Sequence, residues 1–170
     1  YIGPGGSGHF VKTVHNGIEY GIEQILAEAY DLMRRVSKME CSEISKVFGL
    51  WNKTDELSSY LVEITEICLR QKDNFTDDYI VEMILDKAGQ KGTGLWTVVS
   101  ALELGVSVPT IYASLNARVM SSLKNQRKEL ETKIPPKEIK EFDFGDISNG
   151  MEPLFDAVVL SSIASYAQGM

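Results

Sequence analysis

The chain has 170 residues, of which 44% are hydrophobic, so it can form one domain with a substantial core. Its net charge of −7 gives no global support for nucleic-acid binding, although a local basic site for a small anion stays compatible with it. Cys41 and Cys68 are too few for a disulfide framework and fit no metal-binding pattern, so we expect two buried thiols and no metal. With no apolar run of membrane length and no signal segment, we expect a soluble, cytoplasmic protein without a membrane partner.

Residues 1–8, YIGPGGSG, form a glycine-rich entry to the first predicted helix. They formally satisfy the G-x-G-x-x-G pattern of dinucleotide-binding loops. That pattern requires a preceding strand and a surrounding βαβ unit, and neither is visible in the sequence. We therefore expect a flexible connection. Both ends of the chain read as interrupted, which favours part of a longer protein.

A long helix is predicted from about His9 to Ser37, because apolar residues recur at helical spacing. At ~100° per residue, its first half gathers dissimilar polar groups on one arc of roughly 140°. A solvated face usually repeats Lys and Glu, so this variety favours a site, with a mixed solvated face as the alternative. The polar arc consists of Lys12, His15, Asn16, Glu19 and Tyr20.

Gly17 and Gly21 interrupt the same helix, and each costs up to ~1 kcal/mol of helix propensity relative to Ala. Glycines at this spacing indicate that something approaches the helix backbone closely. A ligand and a neighbouring helix are both consistent with the sequence.

Three further helical segments are predicted between residues 41 and 85. The first, Cys41–Trp51, places Ile44, Val47 and Phe48 on one buried face. The second, residues 54–70, has Thr54 as its N-cap and acidic residues in its first turn. A turn leads into the third, residues 79–85. The buried stripe expected on the second segment comprises Leu57, Tyr60, Leu61, Ile64, Ile67 and Cys68.

Residues 86–97, DKAGQKGTGLWT, hold three glycines, Lys91 and Thr93, and an apolar helix is predicted at residues 96–104. Glycines allow backbone amides to point at an anion, a helix N-terminus adds positive potential, and Lys and Thr add donors. The segment is therefore a candidate phosphate cradle without Walker A spacing. An ordinary glycine-rich connection is the alternative.

The next helix is predicted from Pro109 to about Lys133, with Pro109 in its first turn. Arg118 lies in its apolar middle and is either half of an internal ion pair or an anion ligand, for which its planar fork is suited. Lys124, Arg127 and Lys128 read as a polar surface run. The residues expected to point inward are Ile111, Leu115, Val119, Met120 and Leu123.

Residues 131–148, which include Pro135-Pro136, are expected to form a solvated loop, and a last helix is expected from near Gly150 to the end. No strand-like alternation of useful length is found. The predicted fold class is all-α.

Four segments in this order resemble the 6-phosphogluconate dehydrogenase family: GHFVKTVHNGIEYG at 8–21, AGQKGTGLWT at 88–97, the Arg118 helix leading to residues 121–124, and SYAQG at 165–169. The resemblance implies an NADP-binding Rossmann domain, then an all-helical domain, in a homodimer whose C-terminal tail reaches the partner subunit. Residues 1–8 would be a linker from a missing coenzyme-binding domain, and residues 9–170 the front part of the helical domain.

The resemblance also implies a reaction: 6-phosphogluconate is oxidised and decarboxylated to ribulose 5-phosphate, in the pentose phosphate pathway, without a metal. Lys12 would be the general base and must be uncharged to accept a proton. Glu19 would be the general acid and must carry a proton when it donates one.

The remaining implied roles are in binding. His15 and Asn16 would bind the substrate's hydroxyls and carboxylate, with Asn16 also near the nicotinamide of NADP. The family often has Lys at the position of Leu95, and this departure leaves the implied ligands intact. The substrate phosphate would be held by Tyr20, Lys91, Thr93 and Arg118.

Two alternatives are weighed against this function. A non-catalytic helical dimerisation fragment of the same family would have no need for both Lys12 and Glu19. A related β-hydroxyacid dehydrogenase acting on a non-phosphorylated acid would leave the phosphate donors Lys91, Thr93 and Arg118 without a ligand.

Overall fold

A computed structural model describes residues 1–134 and 137–170, and Pro135-Pro136 of the predicted loop lie outside the described residues. The described part contains eight α-helices, a π-helical turn and a 3-10 turn; it contains one isolated bridge, between Lys72 and Tyr79, and no strand. The all-α prediction is therefore confirmed. None of the helices in this described part is both long enough and apolar enough to cross a bilayer.

The helices are α1 (Ser7–Asp31), α2 (Cys41–Trp51), α3 (Tyr60–Arg70), α4 (Ile80–Met83), α5 (Thr93–Glu103), α6 (Pro109–Ser122), α7 (Lys124–Lys133) and α8 (Glu152–Gly169). The π-helical turn Leu32–Val36 continues α1, so the predicted long helix ends in a wider turn. The 3-10 turn Ile147–Asn149 precedes α8. The chain divides into two compact units, the first formed by residues 1–25, 86–136 and 161–170, the second by residues 26–85 and 137–160.

The second unit has α2 at its centre. Ile44, Val47 and Phe48 are fully buried, as predicted, and Trp51 is 1% exposed. The Trp51 ring packs against Phe48 with ring centroids 5.0 Å apart, and its indole nitrogen donates to the Gly150 carbonyl at 2.8 Å. The predicted bounds of this helix are confirmed.

The prediction for residues 54–70 is wrong in its start and for half of its buried stripe, although Leu57 is buried as predicted and Leu61 and Ile64 are half-buried. Ser59 is the N-cap of α3, with its hydroxyl accepting from Val62 N at 3.3 Å, whereas the Thr54 hydroxyl donates to Trp51 O in a turn after α2. Apolar residues surround α3 on several sides, so periodicity alone does not select the face that α2 covers. The buried side chains of α3 are Val62 and Leu69, while Tyr60, Ile67 and Cys68 are exposed.

The prediction that both thiols are buried is correct for Cys41 only. Cys41 is fully buried and Cys68 lies on the exposed side of α3. The reason is the same as for the rest of α3, since Cys68 shares the face that α2 leaves uncovered.

The helix predicted from Pro109 to Lys133 is broken at Leu123, whose ψ of 42° lies outside the helical range. The guanidinium of Arg127 donates to the Ser121 carbonyl at 3.0 Å, which satisfies an acceptor near the break. Ile111 and Leu115 are buried as predicted. The inward placement of Val119, Met120 and Leu123 is wrong, since these side chains are 42%, 55% and 37% exposed.

The core of the first unit joins α1, α5 and α6. It consists of Ile18, Val98, Ala101, Val108, Ile111 and Leu115, with Val14 and Ile22 packed against it. Gly17 and Gly21 of α1 explain how the helices come so close. A Cβ at Gly17 would lie 2.5 Å from Thr97 Cγ2, and a Cβ at Gly21 would collide with the buried hydroxyl of Ser165. Of the two alternatives for these glycines, the neighbouring helix is the one observed.

Candidate functional site

The polar arc of α1 is a connected group of side chains within the first unit. His15 Nδ1 lies 3.1 Å from Lys12 Nζ, 3.3 Å from Asn16 Oδ1 and 3.8 Å from Glu19 Oε2. A single ring nitrogen can donate to or accept from only one neighbour at a time. The imidazole therefore lies where it can exchange partners between an amine, an amide and a carboxyl.

The glycine-rich loop brings the start of α5 to this arc. Asn16 Nδ2 donates to Thr93 Oγ1 at 3.3 Å, across 77 residues of sequence. Gly92, the N-cap of α5, has φ +107°, a left-handed conformation that favours glycine. A Cβ at Gly94 would lie 2.6 Å from the Tyr20 ring, so glycine is required for this close packing. The first turn of α5 thus lies beside Asn16 and Tyr20.

Arg118 completes the group from α6. Its guanidinium carbon lies 3.7 Å from the Tyr20 ring centroid, its Nη1 donates to the Gly89 carbonyl at 2.7 Å, and its Nη2 pairs with Glu23. Burial raises the pKa of Glu23 more than the charge of Arg118 lowers it. The ion-pair alternative for Arg118 is therefore observed. Because a guanidinium has five N–H donors, the pair leaves donors available to an anion.

The loop that carries Lys91 is tied down at its start. Both carboxylate oxygens of Asp86 are engaged, one by Lys124 and the other by Arg127 Nη1 at 2.8 Å. These two cations hold the pKa of Asp86 far below its usual range. Ala88 N donates to the Ser121 hydroxyl at 2.9 Å. Lys124 and Arg127 lie at the surface, as predicted, but the sequence did not reveal their partner, which lies about forty residues earlier in the chain.

The structure brings together seven of the eight residues singled out in the sequence. Lys91 is exposed, and its ammonium forms no ion pair within residues 1–134 and 137–170. Sequence reasoning missed two residues around this group: Glu23, which pairs with Arg118, and Asp86, which anchors the loop that carries Lys91. Both are acids whose importance depends on a distant cation, which helical periodicity does not reveal. The residues that lie together are Lys12, His15, Asn16, Glu19, Tyr20, Thr93 and Arg118.

The fold and site define an all-helical domain in which a lysine, a histidine, an amide and a carboxyl on one helix lie beside an arginine from another. The family model described as the C-terminal domain of 6-phosphogluconate dehydrogenase matches residues 8–170, and the chain belongs to this family.

Curated relatives agree over the whole chain. It is 53% identical to 6-phosphogluconate dehydrogenase, decarboxylating, of Synechococcus elongatus over 171 residues, which cover 100% of this chain and 36% of that protein. It is 48% identical to the chloroplastic 6-phosphogluconate dehydrogenase, decarboxylating 3, of Arabidopsis thaliana, with 100% and 36% covered. The chain therefore spans about a third of the length of the curated relatives it matches.

A solved structure of Plasmodium falciparum 6-phosphogluconate dehydrogenase superposes with a TM-score of 0.91 at 44% identity, covering 99% of this chain and 36% of that one. That enzyme is described in its apo form, with its cofactor NADP+ and with its substrate 6-phosphogluconate.

Proposed function

We propose that this chain is the front, catalytic part of the helical domain of an NADP-dependent dehydrogenase that converts 6-phosphogluconate to ribulose 5-phosphate and carbon dioxide. The observation that carries the proposal is the joining of the polar arc of α1 to Arg118 and Thr93 within one compact unit. One end of such a site suits a polyhydroxy acid and the other suits a phosphate.

The proposal extends to the protein around the chain. Residues 1–8 are the linker from a coenzyme-binding domain, and residues 9–170 are the front of the helical domain. The complete enzyme is a cytoplasmic homodimer in the pentose phosphate pathway, and the tail of the partner subunit completes each phosphate site. The chain's share of its relatives' length supports an incomplete site here.

Lys12 is the proposed general base. It takes the proton of the carbon 3 hydroxyl while that carbon is oxidised, and Lys12 is an exposed residue that a substrate can reach. His15 Nδ1, 3.1 Å from Nζ, orients the amine by accepting one of its hydrogens. When the resulting β-keto acid loses carbon dioxide, the protonated Lys12 stabilises the negative charge that develops on the carbon 3 oxygen.

Glu19 is the proposed general acid. It lies two helical turns after Lys12, about 10 Å along the axis, and both side chains reach towards His15. A substrate as long as a six-carbon sugar acid can contact both. Protonated Glu19 donates a proton to the enediol carbon that has lost carbon dioxide, which is carbon 2 of the substrate and carbon 1 of the product. Glu19 then regains a proton from solvent.

The phosphate is assigned to Tyr20, Lys91, Thr93 and Arg118. Arg118 is pre-positioned, because Tyr20 covers one face of its guanidinium and Gly89 accepts from one edge. Thr93 adds a hydroxyl at the positive end of α5. The exposed Lys91 supplies a mobile charge that a bound anion would order.

Asn16 is the residue of this chain proposed to face NADP. Its carboxamide is half-buried and fixed by donation to Thr93, which fits a role in hydrogen bonding another carboxamide such as that of nicotinamide. NADP, when bound, supplies the acceptor for the hydride that leaves carbon 3. Asn16 and His15 hold the substrate's polar groups so that this carbon is correctly placed.

The decisive experiment replaces Lys12 by Ala in the complete dehydrogenase. Oxidation of 6-phosphogluconate should fall by at least about 10²-fold, the usual worth of a positioned general base, while substrate binding by calorimetry stays measurable. Lys128→Ala, which removes an exposed lysine from α7, is the matched control and should retain activity. Near-normal turnover of Lys12→Ala would remove Lys12 from the base role.

A second variant tests the phosphate assignment. Arg118→Ala should weaken the binding of 6-phosphogluconate and leave the weak binding of gluconate unchanged, because only the first ligand carries the phosphate. An equal loss for both ligands would show that Arg118 acts on the fold and not on the phosphate.

A further inference from the structure

The guanidinium of Arg118 already has an anionic partner inside the candidate phosphate site. Its Nη2 pairs with the carboxylate of Glu23, which lies on α1 one helical turn after Glu19. The Arg118 side chain is only 18% exposed, while that of Glu23 is 39% exposed. An anion that reaches Arg118 therefore arrives beside a carboxylate and does not meet a free cation.

We propose that Glu23 competes with the substrate phosphate for Arg118 and thereby sets the affinity of the site for phosphate esters. The inference rests on the proposed function, in which Arg118 binds the phosphate. Without a ligand, Glu23 holds the guanidinium against Tyr20. With a ligand, the carboxylate and the phosphate either share the guanidinium or exchange on it, and in both cases the carboxylate opposes the phosphate.

The surroundings of Glu23 support a carboxyl that can give up its charge. Arg118 on α6 favours the charged form, whereas burial and the neighbouring Glu19 disfavour it, and the net effect raises the pKa of Glu23. The residues of α8 that pack on α1 in this unit, Ser165 and Gly169, carry no charge. The loop at residues 86–92 adds the Gly89 carbonyl on the far edge of the guanidinium, and its two lysines, Lys87 and Lys91, are exposed.

The charge state of Glu23 should appear in the pH dependence of anion binding. Below its raised pKa the carboxyl is neutral and does not oppose a bound anion. Above that pKa the carboxylate opposes it, so anion affinity should fall as the pH rises. Sulfate keeps its full charge throughout the range in which a carboxyl with a raised pKa titrates, so it reports on the protein without titrating itself.

The test is Glu23→Gln in the complete dehydrogenase. Glutamine keeps an oxygen that can accept from Arg118 Nη2, so the geometry is preserved while the charge is removed. We expect 6-phosphogluconate and sulfate to bind about five- to tenfold more tightly, the order expected when a unit charge about 4 Å from the anion is screened as fully as in water. Gluconate, which lacks the phosphate, should bind as before. Glu103→Gln removes the same charge about 15 Å along α5 from Thr93 and should change nothing.

Each outcome decides one point. If 6-phosphogluconate binds to Glu23→Gln with unchanged or weaker affinity and the variant retains its helical circular dichroism, Glu23 does not compete and the inference fails alone. If Glu23→Gln binds sulfate more tightly and neither protein binds 6-phosphogluconate, the competition is real and the proposed function fails. The fall in sulfate affinity with rising pH should be smaller in the variant, and an unchanged profile also overturns the inference.

Discussion

Gly17 is the position where a single methyl group should test how α1 and α5 create the site. A Cβ at Gly17 would lie 2.5 Å from Thr97 Cγ2, 2.7 Å from Oγ1 and 2.8 Å from Cβ. Thr97 cannot swing away easily, because its hydroxyl lies between two carbonyl acceptors, Thr13 O at 2.8 Å and Thr93 O at 2.9 Å, and the residue is only 4% exposed. Gly17→Ala should therefore push the two helices apart.

Two opposing effects determine how much Gly17→Ala changes the free energy of unfolding. Replacing a helical glycine by alanine gains about 0.5–1 kcal/mol in helix propensity. Three contacts roughly 1 Å shorter than the optimal carbon separation create overpacking, which typically costs about 1–3 kcal/mol. The cost is therefore expected to win, with Gly17→Ala destabilised by about 1–2 kcal/mol. The separation should also lengthen the 3.3 Å contact between Asn16 and Thr93 and weaken substrate binding.

The assay is urea unfolding of the complete protein, followed by circular dichroism at a fixed protein concentration. Gly8→Ala is the matched control, because Gly8 lies in the first turn of the same helix with no atom within 4 Å of its added Cβ, so it should be neutral or slightly stabilising. The double variant with Thr97→Ala should recover part of the loss, with a coupling of about 1–2 kcal/mol. If Gly17→Ala matches Gly8→Ala, the close approach of the helices does not require glycine.

Two further predictions concern the phosphate loop and the thiols. Asp86→Asn should release Lys124 and Arg127 and raise the KM for 6-phosphogluconate with little change in kcat. Because the pKa of Asp86 is lowered in the folded chain, these ion pairs should be complete above the ordinary Asp range and be lost only as the pH falls below it. An unaltered KM in Asp86→Asn would show that the ion pairs do not position the loop. A thiol reagent should modify the exposed Cys68 rapidly, whereas Cys41, which is buried and has a raised pKa, should react only on unfolding; two equally fast thiols would refute this.

The sequence could predict the polar arc because all its members lie on one helix. Once α1 is assigned, the spacing of Lys12, Asn16 and Glu19 fixes their common side, and no knowledge of another element is needed. The same locality explains why α2 was predicted with its exact bounds. Its apolar residues form one stripe, so the buried face is unambiguous.

The prediction failed wherever a second element makes the choice. On α3, Tyr60 and Val62 are both apolar, and only the packing of α2 decides that Val62 is buried and Tyr60 is 72% exposed. The pairing of Asp86 with Arg127 depends on the break in the helix at Leu123. This break is a change of one backbone torsion, and no glycine or proline at that position predicts it.

Arg118 shows why a residue's two possible roles need not exclude each other. The sequence is consistent with two roles for Arg118, half of an ion pair or an anion ligand, because either role explains a charged residue in an apolar stretch of helix. The structure provides the ion pair, yet Glu23 engages Nη2 and Gly89 engages Nη1, and a guanidinium has more donors than these two contacts use. An unpaired arginine this buried would be costly in the empty site. A counterion that a phosphate can share or displace therefore makes the anion ligand possible.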